Sequence, residues 1–154
     1  MTDVEIGEVC AAQHVDALPP SYREFLEFCG RSARQFVLGS EFNYPYLLTQ
    51  KQALEGALVD NRDPYEVPLR AFVFEGHQGY EFFFFEDATA DPPIVTHWSD
   101  GSLPNGRYFH TFEQWLDAEV ACHRLVLENR HREEAGGDWH DSPTFSYEPF
   151  RTFH

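Results

Sequence analysis

The chain has 154 residues, enough for one domain that buries roughly two thirds of its unfolded surface. Its hydrophobic content is 42%, with 15 Phe, 7 Tyr and 3 Trp, which excludes a disordered acidic protein. A formal net charge of −15 with a single lysine argues against direct binding of nucleic acid or of an anionic membrane, because phosphates require cationic partners. The same charge suits a basic protein partner.

In chain order, Ile6, Val9 and Cys10 stand at helical spacing behind Asp3 and predict a short amphipathic helix within residues 3–15. Nothing in MTDVEIGEVC resembles a signal peptide, and no stretch is long enough to span a bilayer. The three cysteines, Cys10, Cys29 and Cys122, lack metal or redox spacing, so a reducing cytoplasm is the expected location. Pro19-Pro20 introduces a clearer helix over about 21–29, with Ser21 and Glu24 as an S-x-x-E capping box. Tyr22, Phe25, Leu26 and Cys29 form its buried face, and Gly30 is read as a left-handed stop. Residues 35–39 look like a strand, and Asn43-Tyr44-Pro45-Tyr46 like a loop or edge segment. A second box, Thr49 with Gln52, opens a short helix carrying Leu54, Ala57 and Leu58, which ends at the polar run 60–64.

Residues 70–86 are the centre of the pattern. RAFVFEGHQGYEFFFFE reads as two strands joined by the turn Gly76-His77-Gln78-Gly79. Pairing Glu75 with Tyr80 would set Val73 against Phe82 and Phe72 against Phe83. Side chains alternate along a strand, so Phe82 and Phe84 project one way, Phe83 and Phe85 the other. Both faces need cover, since truncating one buried aromatic costs about 3–5 kcal/mol. A third strand, Ile94–Trp98, follows Pro92-Pro93, and the turns 99–101 and 104–106 follow that. A last helix starts at Thr111, with Gln114 completing a box, and runs to about residue 129 on Phe112, Trp115, Leu116, Val120, Leu125 and Val126. Beyond the breaker Ala135-Gly136-Gly137, a tail over 131–154 carries Trp139, Phe145, Tyr147, Phe150 and Phe153 and is expected to pack on or near the domain formed by 1–130. The fold class is α+β: a mostly antiparallel sheet with helices packed on it.

These segments resemble a known family. LPPSYREFLEFCG (18–30), AFVFEGHQGYEFFFF (71–85), IVTHWSDG (94–101) and FHTFEQWLDAEV (109–120) occur in the order seen in the SMI1/KNR4 family, the SUKH superfamily, over roughly residues 15–128. The resemblance implies an α+β fold and, for bacterial members, a frequent role as immunity proteins that neutralise a cognate polymorphic toxin, often a nuclease. The eukaryotic namesake implies the alternative, a regulatory or scaffold module with no toxin partner. The family has no shared active site, so no catalytic residue carries over.

The residues themselves show no phosphate loop, nucleophile elbow, H-E-x-x-H or C-x-x-C. Trp139-His140-Asp141 with His131 or His154 lacks the ligand spacing typical of zinc. Glu86-Asp87 is a carboxylate pair, but adjacent acids at a strand end usually form a solvated turn. The sequence therefore predicts a non-enzymatic binding protein without metal or cofactor. The expected contacts with a basic toxin are exposed acids and aromatics near strand ends and loops: Glu41, Tyr44, Tyr46, Asp60, Asp63, Glu86, Asp87, Asp91, Trp98 and Asp100. Oligomeric state is not encoded in any pattern found.

Overall fold

The computed structural model describes residues 1–32, 40–88, 93–101, 103–136 and 151–152. The strand expected at 35–39, Asp91, the tail aromatics and the histidines at 140 and 154 lie outside them. Four helices, α1 (Asp3–Ala12), α2 (Pro20–Cys29), α3 (Gln50–Asn61) and α4 (Phe112–Glu134), pack on an antiparallel sheet. The sheet runs β1 (Ser40–Glu41), β2 (Phe72–His77), β3 (Glu81–Phe85), β4 (Ile94–Trp98), β5 (Gly106–Phe109) and β6 (Arg151–Thr152), each strand beside its neighbour in sequence. This is the α+β class that the sequence predicts. Among the described residues no helix is long and apolar enough to cross a membrane.

The phenylalanine strand is buried on both faces. Phe83 and Phe85 join Phe72, Phe74, Ile94 and Phe109 beneath Ile6 and Val9 of α1, Tyr22 and Leu26 of α2, and Phe112 and Trp115 of α4. Phe82 and Phe84 join Ala71, Val73 and Val95 beneath Leu54 and Leu58 of α3, with Tyr65 and Val67 at the margin. The first layer is a cluster of rings at edge-on and tilted angles. Phe74 is central to it, with centroids 4.8 Å from Phe85, 5.0 Å from Trp115, 5.5 Å from Tyr22 and 5.8 Å from Phe112.

The register differs from the one expected. Phe72 pairs with Phe85 and Val73 with Phe84, then the ladder slips so that Glu75 pairs with Phe83 and His77 with Glu81. Phe74 is the extra residue of a β-bulge, and Phe74 and Glu75 both turn toward α4. The turn is displaced too. β2 continues through His77, and Gln78 (φ 50°) and Gly79 (φ 78°) take the two left-handed positions, with Tyr80 N–H donating to His77 O at 3.2 Å. Two left-handed residues match the twist of a hairpin, and only Gly79 supplies one without steric cost. Gly76, expected in the turn, is instead a strand residue whose missing Cβ leaves room for the Gln50 side chain of α3.

Helix ends correct three further expectations. Ser21 is not the N-cap, because α2 starts one residue earlier with Pro19 in that place, and Thr49 makes no capping hydrogen bond, its Oγ1 donating backward to Tyr46 O at 3.1 Å. Gly30 is right-handed (φ −64°, ψ −16°), and its lack of a side chain matters for space, since a Cβ would sit 2.6 Å from Leu26 O and from Met1 Sδ. The third box is present in altered form. Thr111 Oγ1 accepts from Gln114 N–H at 3.3 Å, while Gln114 Oε1 accepts from His110 N–H at 2.9 Å. A box that the sequence reading did not identify, Thr2 with Glu5, opens α1. α4 runs five residues beyond its expected end and stops at Ala135.

Beyond its short pairing with β1, the outer edge of β2 is closed by side chains. Gln13, fully buried at the end of α1, accepts from Val73 N–H at 2.8 Å and donates to Val73 O at 2.8 Å and to Leu47 O at 2.7 Å. The primary amide therefore replaces one rung of a missing strand. Lys51, the single lysine of the chain, donates its ammonium to Gln13 O, Leu69 O and Ala71 O at 3.1, 2.8 and 3.0 Å. A buried polar group left without a partner costs about 1–3 kcal/mol. Gln13→Leu, which strands three groups, is expected to lose about 3 kcal/mol or more of unfolding free energy, and Lys51→Met about 2–4 kcal/mol. Urea denaturation followed by tryptophan fluorescence checks both; losses below about 1 kcal/mol would mean that these side chains do not hold the edge.

Candidate functional site

The bulge that seats Phe74 in the core also builds a cleft. Along α4, Phe112, Trp115, Glu119, Cys122 and Val126 recur three or four residues apart, so one face of the helix runs from aromatic to carboxylate as it passes along the sheet. Below its second half, β2 and β3 present Glu75, His77, Glu81 and Phe83, β1 adds Ser40, and β4 adds Trp98. His123 of α4 completes a cleft of about 350 Å³, walled by apolar surface and rimmed by acids.

Three carboxyl groups dominate its electrostatics. Glu75 is 2% exposed, and burial pushes its carboxyl up to about 8; a hydrogen bond from Ser40 opposes that rise, and the charges of Glu119 and Glu81 add to it. Glu81, half-buried, is also pushed up to about 8, by burial and then by Glu119 and Asp100. Burial raises Glu119 to about 7. Ser40 Oγ lies 2.9 Å from His77 Nδ1, so one hydroxyl lies between the Glu75 carboxyl and an imidazole. The second oxygen of Glu75, Oε2, is buried without a hydrogen-bond partner.

Titratable groups with raised carboxyl pKa values gathered in a cleft are what acid–base catalysis requires. In a nucleophilic triad the carboxylate orients the histidine, which activates the hydroxyl. Here the carboxyl reaches the serine, so the order is reversed. Among the described residues no three His, Cys, Asp or Glu side chains converge as a metal site.

The expected contact residues are spread over several regions. Trp98 lines the cleft, and exposed Asp100 lies near enough to raise Glu81. Glu41 follows Ser40 on β1 but accepts from Gln50 Nε2 at 3.2 Å. Tyr44 donates to Glu8 Oε2 at 3.1 Å beside α1, and Tyr46 and Asp60 are exposed elsewhere. Asp63 accepts from Tyr65 N–H at 2.8 Å and lies 3.1 Å from Nε2 of fully buried His97, on the α3 side of the sheet. Glu86 pairs with Arg107, and Asp87 with Arg70 at 3.5 Å, so the carboxylate pair serves as two ion pairs. His131 is exposed beside Glu134 at 3.7 Å. Glu75, Glu81, Glu119, His77 and His123 were not foreseen. Their signal was present in the sequence: Glu119 interrupts an apolar helical stripe, and Glu75 interrupts an apolar strand.

No family model, curated protein or solved structure matches this chain. The geometry of the cleft therefore carries the functional argument together with the segments quoted above.

The raised carboxyls fix the sign of a pH dependence. A folded carboxyl at about 8 holds its proton where the unfolded chain, with a value of 4.5, has lost it. Stability from Glu75 is thus complete below about pH 4.5 and disappears as pH rises through 8. Burial lowers the pKa of His97 from 6.5 despite Asp63, so its contribution is lost in the opposite direction, as pH falls through 6.5. Between pH 7 and 8 the buried Glu75 carboxyl, while protonated in the folded chain, contributes a slope of up to about 1.4 kcal/mol per pH unit. Unfolding free energy is expected to fall across that interval, and Glu75→Gln should flatten the curve. Urea titrations at stepped pH check this; a wild-type curve level from pH 7 to 8.5 would mean that Glu75 ionises normally.

Proposed function

We propose that this chain is an immunity protein that binds a basic toxin and blocks its active or substrate-binding surface. The observation that carries the reading is the cleft: three carboxyls and an aromatic wall gathered on one face of a chain with net charge −15. A toxin that acts on nucleic acid holds phosphates with a cationic groove; the net charge of −15 attracts such a groove over a distance, and the cleft carboxyls ionise once its cations arrive. The resemblance of segments 18–30, 71–85, 94–101 and 109–120 to SUKH proteins supports the same class. The rigid setting of the cleft also supports docking, because strands and a 23-residue helix position its groups. In this reading the protein acts in the cytoplasm, where a toxin meets its target, and turns over no substrate.

A toxin encoded beside the protein's own gene supplies the test. Co-expression is expected to rescue growth, and the two chains are expected to co-purify as a complex that weakens as salt is raised. Protection by Ser40→Ala should follow whatever complex it forms, since no turnover is involved. Killing of cells that express the protein, with no complex at low salt, would overturn the immunity reading; loss of protection by a well-folded Ser40→Ala that still holds the toxin would turn attention to catalysis.

A further inference from the structure

We infer that the cleft between α4 and the ends of β2, β3 and β4 is a receptor for one arginine side chain of the partner, which enters between Trp98 and Phe83 and is held by Glu75, Glu81 and Glu119. This rests on the reading of the chain as a protein-binding module and names the chemical group that it takes.

Several independent features point to a cation of this shape. Glu75 lines the cleft, and its Oε2 is buried with no hydrogen-bond partner. A buried carboxyl oxygen without a partner is costly to retain, and a donor arriving from outside would satisfy it. The acids are contributed by three elements, β2, β3 and α4, so they surround a volume and do not form an exposed row. They do not converge as a metal site, which favours an extended organic cation over a small divalent ion. The guanidinium is planar, carries five donors and stacks on aromatic faces, whereas ammonium is a strongly hydrated point charge. Trp98 and Phe83 are the aromatic residues of the lining, and a cleft of about 350 Å³ lies in the range of side-chain and small-ligand pockets.

Protonation follows from the same geometry. The groups facing the cleft are Ser40 from β1, Glu75 and His77 from β2, Glu81 from β3, Asp100 just after β4, and Glu119, Cys122 and His123 from α4. The empty cleft keeps protons on its carboxyls first because burial disfavours their charged form, and for Glu75 and Glu81 also because neighbouring carboxylates add to the rise. A guanidinium beside them compensates the buried charge and expels the protons. Binding is therefore linked to proton release and tightens as pH rises from 6 to 8, by up to about tenfold per pH unit for each proton released.

The test uses N-acetyl-arginine amide, its lysine counterpart and the neutral isostere N-acetyl-citrulline amide, titrated against the full chain by ¹H–¹⁵N NMR. The expected order is arginine, then lysine, with citrulline far weaker, and the shifts should centre on His77, Glu81, Trp98 and Glu119. Glu81→Gln and Glu119→Gln remove charge from half-buried positions with little change of shape, and each should weaken arginine about tenfold or more. Equal shifts with citrulline, shifts away from the cleft, or undiminished binding by both folded variants would overturn the proposal. The toxin separates the two levels. If it is held equally by wild type and both variants, the arginine receptor fails and the immunity reading stands. If arginine occupies the cleft and no toxin is held, the receptor stands and the immunity reading fails.

Discussion

The structure depends on keeping Phe82–Phe85 out of water on both sides at once. A strand with a ring at every position has no face to give to solvent, so it must be central and must have a layer above and a layer below. α1, α2 and α4 supply one layer and α3 the other. Each layer then determines which polar groups are trapped. Gly76, with no side chain, leaves room for Gln50 of α3, and Lys51 on that helix is drawn into a row of carbonyls that would otherwise be stranded. On the other side, α1 ends in Gln13, whose amide substitutes for a neighbouring strand at Val73. An exposed strand edge invites pairing with other chains. Here it is closed by one amide and one ammonium.

Much of this was legible because it depends on pattern alone. Alternation along 81–85 identified the two-sided strand, helical spacing at Tyr22 and Leu26 and at Leu54 and Leu58 identified the buried helix faces, and Thr111 marked the start of α4. What sequence could not reveal was register. A hairpin's pairing is set by its turn and by any inserted residue, and FVFEG gives no sign that Phe74 is the extra one. Capping boxes misled for a related reason. Ser21 and Glu24 have the right spacing, but proline already fixes the start of α2, and Thr49 bonds to Tyr46 within the preceding turn.

The site was less legible than the fold. Acidic residues in loops looked available for binding, yet Asp63 lies against His97, and Glu86 and Asp87 are matched with arginines. The acids that gather in the cleft stood in segments read as core or as helix face, where a carboxylate looks like an interruption. An acid among buried residues is the rarer observation and the more informative one. Glu75 between Phe74 and Gly76 had that character, and its consequence emerged only when α4 brought Glu119 over it.

The bulge connects the two halves of the argument. Without the inserted residue, side chains would alternate through 72–77 and Glu75 would share a face with Val73, against α3. With it, Phe74 and Glu75 lie on the same side, one among the rings of Tyr22, Phe85 and Trp115, the other in the cleft beside Phe83. The packing of a large ring thus holds a carboxyl in a place where it would not otherwise remain. Phe74 contributes burial of roughly 150–250 Å², and that contribution offsets the desolvation of its neighbour. A buried acid is thereby retained in the wall of the cleft, and the core of the fold and the chemistry of the site are one construction.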